Sequence, residues 1–281
     1  MDTIETIHKA LVQHGPHNDR IYLMRLNGAD PYRLITALED LARQKGYGKI
    51  FAKIPAPTWP VFQSADYVAE AIVPGFFNGR TDGYFISKYF SERRQKDHTL
   101  EKRLGIARPK GEQHADPLGR GRWTTRHVAA CRPSDAEQMS DIYHKVFRTY
   151  PFPIQKPGYL KRMIKEDVRY YCIRIDGRIA AIAAAEIDFR NENAEMTDFA
   201  TLPEWRGLGL AGLLLRHMDR KMRDRGIKTA YTIARAASHG MNAVFRNKRY
   251  LYAGLLKNNT QISGQIESMT VWYKPLRGQA E

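Results

Sequence analysis

Arg206-Gly207-Leu208-Gly209-Leu210-Ala211 constrains this chain more than any other segment. It follows a strand-like run from Ala194 to Leu202. It opens a helix whose Leu208, Ala211, Leu215, Met218 and Met222 share one stripe. Two glycines and an alanine let a large anion approach the backbone. Successive N–H groups at the helix N-terminus face that anion, aided by the helix dipole. Arg206 adds a charge-assisted contact. A glycine-rich turn alone is a weak signal, but a strand before it and an amphipathic helix after it supply the required context.

The elements around this loop read in order. Arg126 to Cys131 is a strand. Ser134 caps the next helix, with Glu137 as its capping-box partner. A second helix covers Tyr159 to Glu166. Strands follow at Tyr170 to Ile175, Arg178 to Asp188 and Ala194 to Leu202. The long helix ends at Gly226. Then come a strand from Lys228 to Ala234, a helix over Met241 to Asn247, and strands from Tyr250 to Lys257 and Gln265 to Lys274. This is an α/β (α+β) pattern, a mixed sheet with helices on both faces.

Residues 1–90 echo it. Ile21 to Leu26 is a strand, Asp30-Pro31 caps a helix that Gly46 ends, and Lys49 to Ile54 is a strand. A helix around Val61-Phe62 and strands at Tyr67 to Val73 and Tyr84 to Tyr89 complete the set. Phe62 and Tyr67 are spaced like Phe245 and Tyr250. Residues 1–90 therefore read as a smaller, degenerate half-copy, 91–122 as a basic linker rich in Gly and Pro, and 123–281 as the working domain. Where the second copy carries its loop, the first has Leu26-Asn27-Gly28-Ala29-Asp30-Pro31. Pro31 removes an N–H and Asp30 repels phosphate, so one anion site is expected, not two.

The 281 residues carry a formal charge of +15 and two cysteines, Cys131 and Cys172, each in an apolar strand. A disulfide framework is not expected, and the cytoplasm is the default compartment. No apolar run approaches the ~20 residues of a membrane span. The basic charge is spread along the chain rather than gathered in a tail, which argues against nucleic acid as the main partner. A homodimer is compatible with the sequence. No metal-ligating pattern stands out.

The loop resembles the pyrophosphate loop of the GNAT superfamily of acetyl-CoA-dependent N-acyltransferases, Gln/Arg-x-x-Gly-x-Gly/Ala, with Arg206, Gly209 and Ala211 at its fixed positions. The resemblance implies a GNAT fold and acetyl-CoA as acetyl donor. It implies that Arg206, Gly207, Leu208, Gly209, Leu210 and Ala211 hold the diphosphate, and that Phe199, Ala200 and Thr201 meet the pantetheine arm. Tyr150-Pro151-Phe152-Pro153-Ile154, Ala194 to Thr201 and Glu267 to Lys274 are similar to the β-lysine N-acetyltransferase family. So are Gly46 to Phe51 and Tyr67 to Tyr89. This implies a small-molecule amine acceptor, the ε-amine of β-lysine, and a compatible solute as product. Another amine acceptor, or a basic nucleic-acid binder with an idle GNAT fold, are the competing readings.

An amine of pKa ~10.4 is neutral in only roughly one molecule in two thousand at pH 7, so a base must take its proton. Glu195 is the first choice and Asp198 the second. Their spacing of three on a strand puts them on opposite faces, so at most one is expected in the site. Glu186 and Asp188 lie on the neighbouring strand. A solvent-facing role competes for each of these acids. A backbone N–H near Phe199 or Ala200 is the candidate for the charge gathering on the carbonyl oxygen. Many relatives place a tyrosine acid where this chain has Phe245, so Tyr231, Tyr250 or Tyr252 would have to substitute. For the acceptor, Tyr150 and Phe152 are expected to be held outward by the flanking prolines, with Glu186 and Glu267 as further contacts. A chain of charge +15 repels a cationic acceptor, so acids must dominate near the pocket.

Overall fold

The computed structural model of the chain describes residues 2–97 and 123–276. Within them, thirteen strands join into one sheet. The N-terminal strands are β1 (Thr3–Ile7), β2 (Ala10–Gly15), β3 (Arg20–Arg25), β4 (Lys49–Pro55), β5 (Val68–Phe77) and β6 (Thr81–Tyr89). The others are β7 (Val128–Ala130), β8 (Val168–Ile175), β9 (Arg178–Asp188), β10 (Asn193–Thr201), β11 (Thr229–Arg235), β12 (Leu251–Ile262) and β13 (Gln265–Pro275). The α-helices are α1 (Pro31–Lys45), α2 (Trp59–Ser64), α3 (Glu92–Gln95), α4 (Ala136–Val146), α5 (Pro157–Lys165), α6 (Leu210–Asp224) and α7 (His239–Asn247). None is long and apolar enough to cross a membrane.

Strand order is β1-β2-β3-β4-β6-β5-β12-β13-β11-β10-β9-β8-β7. It reads the same way outward from the β5–β12 junction. β5, β6, β4, β3, β2 and β1 are answered by β12, β13, β11, β10, β9 and β8. Only β3–β4 and β10–β11 run parallel, and they are counterparts. The echo seen in the sequence is thus larger than expected, because β1 and β2 complete it. That hairpin escaped the sequence reading for two reasons. β1 is an exposed edge strand without apolar alternation. Its turn uses His8 and Lys9 at positive φ, where Asn or Gly would have signalled it. Local packing repeats as well. The Phe62–Tyr67 rings meet edge-on at 5.2 Å and the Phe245–Tyr250 rings at 5.3 Å. In both pairs the tyrosine N–H returns to the phenylalanine carbonyl, at 3.2 and 3.0 Å.

Helix ends follow local chemistry. Asp30 accepts from Arg33 N–H at 3.0 Å, Pro31 opens α1, and Gly46 closes it at φ 69°. Gly226, at φ 80°, turns the chain after α6 so that Ile227 N–H reaches Met222 O at 3.1 Å. The Ser134–Glu137 capping box is not formed. A 3-10 turn over Pro133–Asp135 precedes α4, and it is Asp135 that accepts from Arg132 N–H, at 2.7 Å. Apolar faces of α6 and α7 cover one side of β8–β11. The helices α4 and α5 cover the other side, and α1 and α2 pack on β2–β4 and β6. Both cysteines are free and buried. Of the expected linker, residues 91–97 form α3 and its continuation, where Asn258 Nδ2 donates to the carbonyls of Arg93, Arg94 and Lys96. Residues 98–122 lie outside the described residues.

The two halves meet at a narrow seam. β5 and β12 share one register pair, Ala71 with Gly254. A Cβ on Gly254 would stand 2.1 Å from Glu70 O, so only glycine allows this approach. Beyond it, side chains replace the ladder. Glu70 accepts from Lys257 N–H at 2.8 Å while Lys49 Nζ donates to Lys257 O at 2.7 Å. Lys49 and Glu70 pair at 2.8 Å with side chains 0% and 4% exposed. Ser87 and Tyr89 also donate to Glu70. Removing one partner of a buried pair strands the other. Glu70→Ala should therefore lower unfolding free energy by about 3–5 kcal/mol in urea titration. A loss below about 1 kcal/mol would show that the pair is dispensable.

Candidate active site

The cleft arises where two parallel strands part. β10 and β11 pair only from Asn193–Thr229 to Glu195–Tyr231. Past that point β10 carries a bulge against β9, between the pairs Thr197–Ala184 and Ala200–Ile182. Asp198, at φ 55°, occupies the bulge. The splayed strands leave main-chain groups of β10 without a partner on the β11 side. A cavity of about 1330 Å³ opens there. It is walled by β10 and β11, the α4–α5 loop, the Arg206 loop, α7, and the faces of β3 and β4.

The bulge overturns the expectation that Glu195 and Asp198 face opposite ways. One extra residue resets strand parity, and both acids line the cavity. Glu186 stands directly across from Glu195 in register. The three form one electrostatic cluster. Burial pushes Asp198 up to about 6, with Tyr150 opposing and Glu195 adding to the rise. Burial also raises Glu195, against Lys53, the Tyr231 hydroxyl and a main-chain N–H at Ile233. Burial, then Glu195 and Asp198, push Glu186 to about 8. Glu186 is nonetheless exposed on the cavity wall, so the repulsion from Glu195 and Asp198 is the firmer cause of its rise.

Tyr150 Oη donates to Asp198 Oδ1 at 2.6 Å. Tyr150 and Phe152 turn into the cavity rather than outward, because Tyr150 also packs on Phe147, with ring centroids 4.8 Å apart. Glu267 is not an acceptor contact. It is 1% exposed and holds Arg235 through two hydrogen bonds, at 2.9 and 2.7 Å. Arg235, not Glu267, lines the cavity. Asp188 lines it too, but is occupied by the Asn191 turn.

The Arg206 loop has the shape its sequence demands. Gly207 and Gly209 sit at φ 80° and 71°. Gly209 caps α6 without any side-chain hydrogen bond, so the first N–H groups of the helix stay available. Gly207, Gly209, Leu210 and Ala211 line the cavity, and Arg206 is exposed beside them with Nε 3.3 Å from Thr201 O. Leu208 packs against the core under α6 instead. Phe199 and Thr201 line the cavity, whereas Ala200 is 2% exposed in the core beneath α4 and α5. Phe199 meets Phe245 edge-on at 5.6 Å, and Phe245 is a packing residue at 1% exposure. Of the three substitute tyrosines, Tyr250 donates to Asp219 in the core and Tyr252 packs on Trp272. Only Tyr231 lines the cavity.

The sequence reading missed the wall that β3 and β4 supply. Lys53 Nζ lies 2.9 Å from Tyr231 Oη, and 5.4 Å from the Tyr22 ring. Burial lowers the Lys53 pKa, but Tyr22, Tyr231 and Glu195 more than reverse this, leaving it well raised and the ammonium charged. The signal was present. Arg20, Tyr22 and Met24 alternate with Ile21 and Leu23, and Phe51 and Lys53 alternate with Ile50 and Ala52. Strands inside a sheet that keep one polar or aromatic face must turn it to a cavity. The lining carries four carboxylates and six cations, so acids dominate only locally, at Glu186, Glu195 and Asp198. Among the described residues no three His, Cys, Asp or Glu side chains are grouped to hold a metal ion.

The acetyltransferase (GNAT) family profile matches residues 136–248, which span the cleft and the loop. The β-lysine N(6)-acetyltransferase of Methanococcus maripaludis is 36% identical over 277 residues, 98% of this chain and 99% of that protein. N-acetyltransferase YodP of Bacillus subtilis is 32% identical, covering 95% and 96%. A β-lysine N(6)-acetyltransferase of Methanosarcina mazei is 28% identical, covering 85% and 96%. Both halves of the sheet therefore have counterparts in these relatives, and the chain belongs to the GNAT acetyltransferase family, among the β-lysine N(6)-acetyltransferases.

Proposed function

We propose that this acetyltransferase moves an acetyl group from acetyl-CoA to the ε-amine of β-lysine, in the cytoplasm, giving a compatible solute. The observation that carries the acceptor is near-full-length similarity to β-lysine N(6)-acetyltransferases. The cavity supports it, since a diamino acid presents two amines and a carboxylate, and the walls offer three clustered acids facing a cationic wall. The N-terminal half, residues 1–90, is non-catalytic in the sense that it holds no donor loop. It walls the acceptor side.

Acetyl-CoA supplies the thioester whose acetyl group is transferred. Its diphosphate fits the uncapped start of α6, where Gly207 and Gly209 keep the backbone bare and Arg206 stands alongside. The exposed edge of β10 at Phe199 to Thr201 suits an extended amide chain. Glu195 is the base. It lies at the fork of β10 and β11, and its links to Lys53 and Tyr231 oppose the rise that burial imposes. Glu186 and Asp198 remain for the second amine. Tyr231 is the hydroxyl best placed to return a proton, since burial holds it protonated, its pKa raised well above 10.

Two outcomes test this. The acid limb of the kcat/KM profile, which reports the free enzyme, should lie above the ordinary glutamate value of about 4.3, because the base must lose a proton that burial makes it hold. Glu195→Gln should lower kcat for β-lysine roughly 10²- to 10⁴-fold. An acid limb near pH 4.5 or an unchanged kcat would remove Glu195 from the role. Separately, Gly209→Val, which forces a β-branched residue to positive φ, should weaken acetyl-CoA binding at least about tenfold in calorimetry. Unchanged binding would move the donor site elsewhere.

A further inference from the structure

Three cations are buried in the described structure, and two have carboxylate partners. Lys49 pairs with Glu70 and Arg94 with Asp19. The third, Arg20, is 5% exposed and lines the cavity, yet among the described residues no carboxylate lies within ion-pair distance of it. Its Nη1 donates to Asn259 O and, at 3.0 Å, to Thr260 Oγ1. Its Nε has no partner. Two aromatic rings flank it, Tyr22 at 5.2 Å and Phe51 at 5.9 Å. Asp2, the acid whose charge it feels, is held by His17 N–H and Asn18. An uncompensated guanidinium in such surroundings is strongly unfavourable unless an anion meets it. The donor's phosphates have a proposed place of their own at the uncapped start of α6.

We propose that Arg20 is the carboxylate subsite of the acceptor. The proposal rests on the amino-acid acceptor argued above and deepens it. Arg20 and Lys53 share the Tyr22 ring, at 5.2 and 5.4 Å, and Lys53 reaches Tyr231, which bonds Glu195. The subsite and the base are thus the two ends of one row of side chains. An acceptor with a carboxylate at one end and an amine at the other lies along that row, its second amine facing Glu186 and Asp198. A polyamine of the same length would place an ammonium against Arg20 and be rejected by repulsion. The N-terminal half thereby sets specificity without touching the acetyl donor.

The test compares β-lysine with 1,4-diaminopentane, which keeps both amines and their spacing but carries hydrogen in place of the carboxylate. Wild-type enzyme should strongly favour β-lysine. Arg20→Gln should lower kcat/KM for β-lysine roughly 10²- to 10³-fold while changing that for 1,4-diaminopentane less than about threefold. Arg20→Lys, which keeps the charge and tolerates any folding demand at Thr260, should retain at least about a tenfold preference for β-lysine. Equal losses on both amines in both variants, or a preference that survives Arg20→Gln, would overturn the subsite. Wild-type enzyme that acetylates both amines equally well would overturn the subsite alone. Wild-type enzyme that does not acetylate β-lysine would overturn the acceptor reading with it.

Discussion

The Lys49–Glu70 pair completes the seam between the two halves of the sheet, beside an apolar cluster that both halves share. Where β5 and β12 should share a ladder, they share one residue pair, and the next main-chain groups, at Lys257, are met by a carboxylate and an ammonium instead. A buried ion pair is a poor source of stability when apolar residues could replace it. Here they could not, because Lys257 needs both a donor and an acceptor. Ser87 and Tyr89 satisfy the remaining lone pairs of Glu70. The consequence reaches the cavity. Fixing β5 against β12 brings β3 and β4 round to face the fork of β10 and β11, so Lys53 meets Tyr231 across a sequence separation of 178 residues.

The same strand order is used twice, and a small difference separates the proposed donor-binding copy from the other. β3 carries a bulge at Met24, between the pairs Leu11–Arg25 and Val12–Leu23, as β10 does at Asp198. In the first copy the pairing runs right up to the bulge. β3 and β4 stay paired from Arg20–Lys49 to Leu23–Ala52. The helix that follows is sealed by its own side chain, since Asp30 occupies the N–H that an anion would take. In the second copy glycine stands at the cap and brings no carboxylate. One residue at the N-cap thus decides whether the first N–H groups of the helix are taken by its own side chain or left open.

Much of this was legible in the sequence, and the exceptions share a cause. The Arg206 loop, the α6 stripe, the Asp30–Gly46 helix and the Phe62–Tyr67 echo are local, so composition and period reveal them. Three features are not local. The bulge at Asp198 breaks the two-residue period with no Gly or Pro to mark it, so parity placed the acid on the wrong face. Glu267 reads as an acceptor contact in the sequence because its partner, Arg235, is 32 residues away. Arg20 and Lys53 were visible as a polar face on an interior strand. Only the seam shows what that face looks at.

Charge explains how one cavity can serve a polyanionic donor and a cationic acceptor. At a net +15 the surface attracts the donor from a distance, while salt limits that reach to about 8 Å. Closer in, Glu186, Glu195 and Asp198 outweigh the field because they are clustered on one wall of the cavity. Burial first, and then repulsion between neighbouring acids, raises the pKa values of Glu186 and Asp198, so without acceptor part of the cluster holds protons. An incoming ammonium reverses this, because a positive charge beside the acids favours their ionised form. On the proposed reading the acceptor thereby prepares the base that deprotonates it, and a neutral ligand of the same shape would not. Base strength in this site is a property of the complex, set jointly by Lys53, by the three carboxylates and by the charge that the acceptor itself carries in.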